Sequence, residues 1–257
     1  MKKILQLRIC EKFIAGEGAV ALTLEGKSGE VLPEVYPGQF VNISVENCKD
    51  VYLRRPISIS NVTDGGRRWH LLIREAGKGT RNLVALNIGK TLNVVGPLGS
   101  GFNLDNVSGR KFLLIGGGVG VAPLLYYGKC LKQCGAEVVF LLGARSVGYL
   151  YLAGHFSEIA PTCIATEDGS AGIQGFVTDN VIIKETNFDS WAVCGPAPMM
   201  KAVATLAREK GVECFVSLEN MMACGLGACL CCVEKTVRGN VCVCTNGPVF
   251  NIDELTW

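Results

Sequence analysis

The feature that most constrains this chain is a cysteine-rich stretch near its carboxyl end, with the sequence MMACGLGACLCCV. Its cysteines Cys224, Cys229 and Cys232 follow the C-x4-C-x2-C spacing of a [2Fe–2S] cluster, which needs a fourth cysteine further along the chain. Thiolates are the soft ligands that such clusters favour, and Gly225 and Gly227 permit the tight turns of a loop around a cluster. The alternatives are a structural zinc site, whose usual spacings differ, or buried structural cysteines. The spacing therefore favours an iron–sulfur cluster.

The fourth ligand is either Cys242 or Cys244, because both lie in the alternating run VCVCTNGPVF. Side chains two apart on a strand point to the same face, so the pattern alone does not choose between them. Cys244 borders the turn at 245–248, where a thiolate can reach toward a loop, and we therefore favour Cys244. Cys231 interrupts the x2 gap, and we interpret it as a small apolar filler or a bystander thiol.

The composition argues against several classes of function. The chain has 257 residues, of which 49% are hydrophobic and 19% are charged, as expected for a globular protein of two domains or slightly more. Its net charge of +2 gives no electrostatic reason to expect binding to nucleic acid or to an anionic membrane. Four glycines and a proline interrupt the longest apolar run, at 112–127, which is too short to span a membrane. Thirteen cysteines, without a signal peptide in MKKILQLRICEKF, indicate the reduced cytoplasm.

The first hundred residues consist of short alternating segments separated by turn residues. They include AVALTLEG, PGQFVNISV, YLRRPISISNV, RRWHLLIREAG and TLNVVGPLG. This alternation predicts antiparallel strands arranged as a small β-barrel. One short helix is expected over 80–88, and the Gly- and Pro-rich segment at 96–102 marks a domain boundary.

Two segments of this region suit an anionic nucleotide. One is RRPIS at 54–58, where an arginine offers a planar fork of donors to a phosphate and Ser58 follows on the same strand. The other is LIR at 72–74 followed by Gly79 and Thr80, which offer backbone N–H groups and a hydroxyl to a pyrophosphate. Each segment alone is a weak signal, because arginine pairs are more often solvated and Gly-Thr loops are often plain turns. Together, upstream of a cluster motif, they favour a flavin nucleotide.

The middle of the chain alternates between buried strands and helices. Strands are predicted at 111–115, 138–142, 162–166 and 189–194, and helices over LLYYGKCLKQCG and 198–210. Such alternation predicts a parallel, doubly wound sheet, which binds ligands at the carboxyl ends of its strands. The predicted architecture is multidomain β plus α/β. It comprises an antiparallel β-barrel domain at 1–100, a doubly wound α/β nucleotide domain at 101–215 and a small [2Fe–2S] domain at 216–257.

The glycine run after the first of these strands contains Gly118-x-Gly120-x-x-Pro123, a variant of the dinucleotide fingerprint. The acid expected about twenty residues later is missing, and Arg145 stands near that point. Arg145 either meets a 2′-phosphate or is an ordinary surface residue, and we favour the ordinary interpretation, so the choice between NAD and NADP stays open. The later segment CGPAP repeats the strand-to-helix pattern. Cys194 is a candidate for a position near a nicotinamide, or is simply a buried cysteine at a strand end.

No side chain is predicted to be catalytic. His70 and His155 have no carboxylate or cysteine companion at ligand spacing, and we interpret both as structural or exposed. The sequence contains no Ser-His-Asp set and no paired-carboxylate signature. A redox chain needs neither, because its cofactors carry the chemistry.

The order of these motifs resembles that of a known family. RPIS, LIR with GT, GPLGSGF, GGGVGVAP, CGPAP and the cysteine stretch with CTNGPVF follow one another as in the ferredoxin–NADP reductase-like superfamily. More narrowly, nearly the whole chain resembles the electron-transfer subunits of NAD-dependent dihydroorotate dehydrogenase B. The stretch from SLENMMACGLGACLCC to CTNGPVF is the most specific part of this resemblance.

The resemblance implies three sets of site residues. Arg55 is expected on the FAD phosphates, Ser58 near the reactive flavin edge, and Ile57, where many relatives have Tyr, against the ring. The FAD set is Arg55, Pro56, Ile57, Ser58, Leu72, Ile73, Arg74, Gly79 and Thr80. The NAD set is Gly116, Gly117, Gly118, Gly120, Pro123, Gly195 and Pro196. The cluster set is Cys224, Cys229, Cys232 and Cys244, with Cys231 a departure from the smaller residue expected there.

The resemblance also implies a function and a partner. An FMN-containing catalytic subunit would oxidise dihydroorotate in pyrimidine (UMP) biosynthesis, and electrons would pass through the [2Fe–2S] cluster and FAD of this chain to NAD+. The complex is expected to be a heterotetramer with two chains of each kind. One rival is a similar NAD(P)H reductase subunit of a hydrogenase, a sulfur reductase or a ferredoxin–NADP transhydrogenase. A second rival is a non-catalytic module with structural zinc, which leaves the nucleotide motifs unexplained.

Overall fold

The structure, a computed structural model, describes residues 3–46, 48–185 and 187–257. Two large sheets and a cysteine-rich carboxyl-terminal segment make up this part of the chain. No helix in it has both the length and the apolar composition needed to cross a membrane.

The first sheet is a closed antiparallel barrel in the order β1-β2-β5-β4-β3-β6. Along β5, Trp69, Leu71 and Ile73 alternate into the barrel interior, as the period of two predicts. A helix, α1, closes one end with the buried side chain of Leu83. The predicted antiparallel barrel is thus confirmed. Its elements are β1 (Lys3–Gly16), β2 (Ala19–Gly26), β3 (Phe40–Ile43), β4 (Arg55–Thr63), β5 (Arg68–Arg74), α1 (Lys78–Ala85) and β6 (Thr91–Leu98).

The second sheet is parallel except for its last strand. It contains β7 (Lys111–Gly117), β8 (Glu137–Ala144), β9 (Thr162–Thr166), β10 (Ile173–Gln174), β11 (Ser190–Cys194), β12 (Glu213–Ser217) and β15 (Val249–Asn251). The helices between its strands are α2 (Ala122–Gln133), α3 (Ala153–Ile159), α4 (Val181–Glu185) and α5 (Ala197–Lys210). The strand order is β10-β9-β8-β7-β11-β12-β15, so the chain first winds outward from β7 and then returns to its other side. This order confirms the doubly wound sheet and puts a ligand crevice beyond the carboxyl ends of β7 and β11.

The carboxyl-terminal segment leaves the second sheet and returns to it. After β12, residues 218–232 contain no helix or strand, and a hairpin of β13 (Val233–Thr236) and β14 (Gly239–Cys242) follows. The short helix α6 (Val243–Asn246) then carries Cys244, so the expectation that the strand continues to Cys244 is wrong. The strand ends at Cys242, and the chain turns into α6 at the next residue. Strand β15 finally pairs antiparallel with β12, and the domain boundaries at 100 and 215 stay a prediction.

Helix α2 joins the two sheets. Its Lys129 Nζ donates hydrogen bonds to Asn61 Oδ1 (3.2 Å) and to the Val62 carbonyl (3.3 Å) on β4. On the other side of the same helix, Tyr127 stacks on Phe102 with ring centroids 4.2 Å apart. Apolar residues on the outer face of the barrel, including Leu72, are buried in the same cluster as this helix. The barrel therefore packs directly on the helical layer of the second sheet.

A pair of glycine substitutions tests this packing. A methyl group at Gly128 of α2 would come within 2.3 Å of Phe140 Cζ, whereas one at Gly154 of α3 would meet nothing within 4 Å. Gly128→Ala is expected to lower the melting temperature, because overpacking costs about 1–3 kcal/mol and outweighs the helix propensity gained. Gly154→Ala is the matched control and should raise it slightly, since alanine gains up to about 1 kcal/mol in a helix. Equal shifts for both variants in thermal unfolding would contradict the packing described here.

Candidate functional site

Two adjoining cavities lie where the barrel meets the carboxyl edge of the second sheet. The larger has a volume of about 670 Å³ and the smaller about 270 Å³. Arg74 from the end of β5, Val119 from the turn after β7 and Glu219 from the segment after β12 line both of them. The two cavities therefore adjoin at these three residues.

The larger cavity runs across the carboxyl ends of the parallel strands. From β12 to β10 it crosses five strand spacings, or roughly 24 Å at about 4.8 Å each. The glycine-rich turn after β7 lies in the middle of this span, where a pyrophosphate would meet free backbone N–H groups. Five of the predicted nucleotide residues line the cavity, whereas Gly116 and Pro123 are buried and do not. The five are Gly117, Gly118, Gly120, Gly195 and Pro196.

The wall of this cavity also contains residues that the sequence analysis did not assign to it. Arg145, which we interpret from the sequence as an ordinary surface residue, is exposed and also lines this cavity just beyond the carboxyl end of β8, so its role stays a prediction. Glu167 follows β9 and lies in the same wall, with the aromatic residues Tyr149 and Phe176. An acid therefore follows the third strand rather than the second, and its position after a strand was the available signal.

The smaller cavity lies against the barrel and contains most of the predicted flavin residues. Six of these residues line it, namely Pro56, Ile57, Ser58, Leu72, Arg74 and Thr80. Ile73 is not brought to this cavity, because the alternation of β5 turns its side chain into the barrel interior. The Thr80 hydroxyl accepts hydrogen bonds from the backbone N–H groups of Ala76 and Gly77, which closes the loop in front of α1.

Arg55 and Gly79 meet beside the smaller cavity. A methyl group at Gly79 would come within 2.5 Å of the Arg55 Nε, so this guanidinium lies directly against Gly79. The Arg55 Nη1 donates to the Leu53 carbonyl (2.8 Å), and no described carboxylate pairs with the guanidinium. Neighbouring Arg54 is instead bonded to Asn93 on β6. Of the two arginines, Arg55 therefore keeps donors for a phosphate.

Glu219 stands in the shared wall of the two cavities. Protein atoms around it in the cleft raise the pKa of its carboxyl group, and the charge of Arg74 opposes this shift. Much of the side chain nevertheless faces the open cavities. Cys194, predicted near the nicotinamide, is buried behind this wall and lines neither cavity. Its burial raises the pKa of the thiol well above the ordinary value, beside Ser217 and Glu219.

The four predicted cluster cysteines meet at the junction of the carboxyl-terminal loop and α6. Cys232 and Cys244 are buried, Cys224 is half-buried and Cys229 is exposed. The Cys244 N–H donates to the Cys232 Sγ (3.4 Å), and the Cys224 N–H donates to the Cys229 Sγ (3.5 Å). The sequence thus brings one pair of thiols together on the core side of the loop and another pair on its outer side.

Backbone amides of the loop point at the sulfur atoms. The Leu226 N–H donates to the Cys224 Sγ (3.3 Å), which is the main reason why the pKa of this thiol falls to about 6. Gly225 and Gly227 make this possible with φ angles of +71° and +87°, in the left-handed region that glycine tolerates. Hydrogen bonds to sulfur are a standard means of stabilising iron–sulfur clusters. The loop therefore fits such a cluster by its donors as well as by its thiols.

The competing cysteines differ in burial, and the fourth ligand stays a prediction. The Gly227 amide interacts with the buried Cys244 thiol, whose pKa burial raises to about 12. Cys242 ends β14, half-buried, with its thiol also near Cys232, whereas Cys231 is exposed. Among the described residues, no three metal-binding side chains surround a single ion position. In a two-iron cluster, each iron takes only two of the four cysteine ligands.

The two histidines lie outside these sites. His70 bridges Thr23 (3.2 Å) and Thr63 (2.7 Å) on the barrel, and its partial burial lowers its pKa. His155 is exposed and stacks on Phe13. Both positions agree with a structural or surface role.

Two family models match the chain. The oxidoreductase FAD-binding domain matches residues 15–102, which contain barrel strands β2 to β6 and the β4 and β5 wall of the smaller cavity. The iron–sulfur cluster binding domain of dihydroorotate dehydrogenase B matches residues 219–256, which contain all the cluster cysteines. The chain thus carries an FAD-binding domain and an iron–sulfur cluster-binding domain.

Full-length relatives agree with these matches. The chain is 39% identical to the dihydroorotate dehydrogenase B (NAD(+)) electron transfer subunit of Shouchella clausii (strain KSM-K16), covering 99% of this chain and 98% of the relative. It is 40% identical to the corresponding subunit of Geobacillus sp. (strain WCH70), covering 89% and 90%. Among solved structures, a chain of the NADH-dependent reduced ferredoxin–NADP oxidoreductase matches with a TM-score of 0.86 and 33% identity, covering 99% of this chain and 91% of that one. The chain therefore belongs to the family of electron-transfer subunits of NAD(+)-dependent dihydroorotate dehydrogenase B.

Proposed function

We propose that this chain passes electrons from the FMN of a partner dihydroorotate dehydrogenase catalytic subunit, through a [2Fe–2S] cluster and FAD, to NAD+. The observation that carries the proposal is the adjacency of three sites along one path. The larger and the smaller cavity share the wall of Arg74, Val119 and Glu219. The cysteine segment packs on the other side of the smaller cavity, where Phe40 of β3 lines that cavity and is buried with Cys232 and Cys244.

The cofactor assignments follow from these positions. We infer that Pro56, Ile57, Ser58, Leu72, Arg74 and Thr80 surround the flavin ring, with Arg55 and Gly79 at its phosphates. The glycine turn at 117–120, with Gly195 and Pro196, would hold the pyrophosphate and nicotinamide of NAD+. Cys224, Cys229, Cys232 and Cys244 would bind the cluster. When bound, the FAD links the two-electron chemistry of nicotinamide to the one-electron chemistry of the cluster.

The side chains of the shared wall then have a positioning role. Arg74 supplies positive charge between the two cavities, and Glu219 supplies a carboxylate whose pKa is raised by its surroundings. The apolar side chain of Val119 lines both cavities. Together they would orient the nicotinamide against the flavin, because hydride transfer requires direct contact between the reacting atoms.

An apolar surface beside the cysteines supports a partner subunit. Met221 is 83% exposed, Leu230 64% and Val237 65%, and all three belong to the cysteine segment or its hairpin. Large exposed apolar side chains near a functional site are common at protein interfaces. We propose that this face contacts the FMN subunit in a cytoplasmic heterotetramer with two chains of each kind, which would serve pyrimidine biosynthesis.

A second candidate is the equivalent subunit of a ferredoxin–NADP transhydrogenase. The match to the NADH-dependent reduced ferredoxin–NADP oxidoreductase favours it, because that chain is 33% identical and spans nearly the same length. Every motif discussed here suits either partner. The identity of the partner therefore decides between the two.

The isolated chain is expected to transfer electrons from NADH to a dye but not to oxidise dihydroorotate, because no site for that substrate is assigned to it. A visible spectrum of anaerobically purified protein should show flavin and [2Fe–2S] bands that NADH bleaches.

Affinity purification of the tagged chain should recover an FMN-containing subunit that restores dihydroorotate oxidation. Recovery of a transhydrogenase subunit instead would favour the second candidate. A colourless protein with bound zinc would contradict both.

Cys244→Ser is expected to lose most of the cluster iron, because Cys244 is buried beside Cys232 and meets the Gly227 amide. Cys242→Ser and Cys231→Ser are matched controls that should keep their iron. Iron content per flavin and the electron paramagnetic resonance signal of the reduced protein measure the outcome. Loss of the signal in Cys242→Ser, with retention in Cys244→Ser, would reverse the assignment of the fourth ligand.

The chain is expected to prefer NADH to NADPH. Glu167 lies at the adenosine end of the larger cavity, where its carboxylate would accept ribose hydroxyl groups and repel a 2′-phosphate. Glu167→Gln should raise kcat/KM for NADPH roughly tenfold, which corresponds to about 1.4 kcal/mol. Glu158→Gln removes the same charge from an exposed position of α3 and should leave the preference unchanged. An unchanged NADH/NADPH ratio in Glu167→Gln would exclude Glu167 as the selective residue.

A further inference from the structure

A buried asparagine on the barrel contacts the loop of the first cysteine. Asn42 lies on β3 and is fully buried, with an exposed fraction of 0%. Its neighbours Val41 and Ile43 point into the barrel interior, whereas Phe40 belongs to the cluster of buried residues that contains Cys232 and Cys244. Because side chains alternate along a strand, Asn42 shares the outward face of Phe40 and meets the cysteine segment.

The contacts of the Asn42 amide are specific. Its Nδ2 donates to the backbone carbonyl of Cys224 at 3.4 Å. The same Nδ2 would lie 2.9 Å from a methyl group at Gly225, so the loop rests directly on this side chain. The buried Asn42 Oδ1 has no hydrogen-bond partner among the described residues.

The backbone of Asn42 is fixed from the other side. Arg54 Nη1 donates to the Asn42 carbonyl (3.3 Å), and the same guanidinium is bonded to Asn93 on β6. Burying an amide with an unsatisfied oxygen costs free energy. An apolar residue of similar size would avoid that cost, so stability alone does not account for asparagine at this position.

Strand β3 also forms part of the wall of the smaller cavity. Asn42 pairs in register with Pro56 on β4, and Phe40 pairs with Ser58. Phe40, Pro56 and Ser58 all line that cavity. One short strand therefore contacts both the flavin cavity and the loop of the first cluster cysteine.

We propose that Asn42 is a positioning residue that fixes the Cys224–Gly225 peptide against the FAD barrel and so holds the Cys224 thiolate with its amide donors in place. The inference rests on the proposed ligation of the cluster by Cys224. The Leu226 N–H that donates to the Cys224 sulfur lies two residues beyond the carbonyl that Asn42 holds. Groups that orient a metal ligand in this way commonly change metal affinity when they are removed.

Asn42→Leu tests the proposal, because leucine keeps the volume and removes the donor. The rate of iron release to a chelator should rise about tenfold, and the cluster reduction potential should fall, since weaker hydrogen bonding to sulfur destabilises the more negative reduced cluster. A purely structural role would instead change the melting temperature and the FAD content. Asn61→Leu replaces a barrel asparagine that is bonded to Lys129 and should keep the parent release rate and potential.

A double-mutant cycle keeps the test decisive if the leucine variant folds poorly. Gly225→Ala should be less harmful in an Asn42→Ala background, because the methyl group then has no amide to clash with. Gly227→Ala imposes a similar left-handed strain, but its methyl group meets Thr245 at 2.9 Å. Its effect on iron release should therefore add to that of Asn42→Ala.

The possible outcomes distinguish the positioning role of Asn42 from the ligation of the cluster by Cys224. Parent values of iron release and potential in Asn42→Leu, together with iron loss in Cys224→Ser, would overturn the positioning role alone. Retention of the cluster in Cys224→Ser would instead overturn the ligand assignment on which it rests. Additive behaviour of Asn42→Ala with Gly225→Ala would also contradict the inferred contact.

Discussion

The packing of helix α2 against strand β4 determines how far apart the two cavities lie. The helix follows the glycine-rich turn of the nucleotide cavity, and further along the same helix Lys129 is bonded to the end of β4. The residues of β4 that line the flavin cavity stand at the other end of that strand. A rotation of the barrel would have to break these contacts, so the positions of the two cavities are linked through one helix.

The cysteines of this chain lie in environments that shift the pKa of the thiol in opposite directions. Burial raises the pKa of Cys130, Cys194 and Cys214, which keeps these thiols protonated and unreactive. At Cys224, backbone donors lower the pKa to about 6. Buried cysteines therefore stay protonated, whereas Cys224 in the loop favours its thiolate form. The direction of each pKa shift depends on whether burial or hydrogen bonding to the sulfur dominates.

Local patterns in the sequence predicted most of the architecture. The period of two in the barrel and the strand–helix alternation after residue 111 are local signals, and the structure agrees with both. The cysteine spacing is also local, and a family model for iron–sulfur binding matches that segment. Position along a strand was harder to interpret: Ile73 was expected at the flavin but points into the barrel, because the pattern does not tell which face the ligand occupies.

Long-range arrangement accounts for what the sequence could not reveal. Glu219 and Arg74 are far apart in the chain and meet only because the barrel packs on the sheet edge. Arg145 is exposed, and its place beside the larger cavity follows only from the tertiary arrangement of the sheet edge. Asn42 reads as an ordinary strand residue, and its contact with Cys224 spans 182 positions of sequence. Such pairs depend on tertiary packing, which local periodicity does not contain.

The return of β15 to β12 makes the cysteine segment an insertion between two neighbouring strands. Both ends of the segment are anchored in the same sheet, so its length and internal conformation do not affect the register of the strands that bind the nucleotide. Closing a longer loop between fixed ends costs little extra entropy, because the cost rises only with the logarithm of its length. The length and conformation of this excursion can therefore change while the neighbouring strands of the sheet keep their pairing.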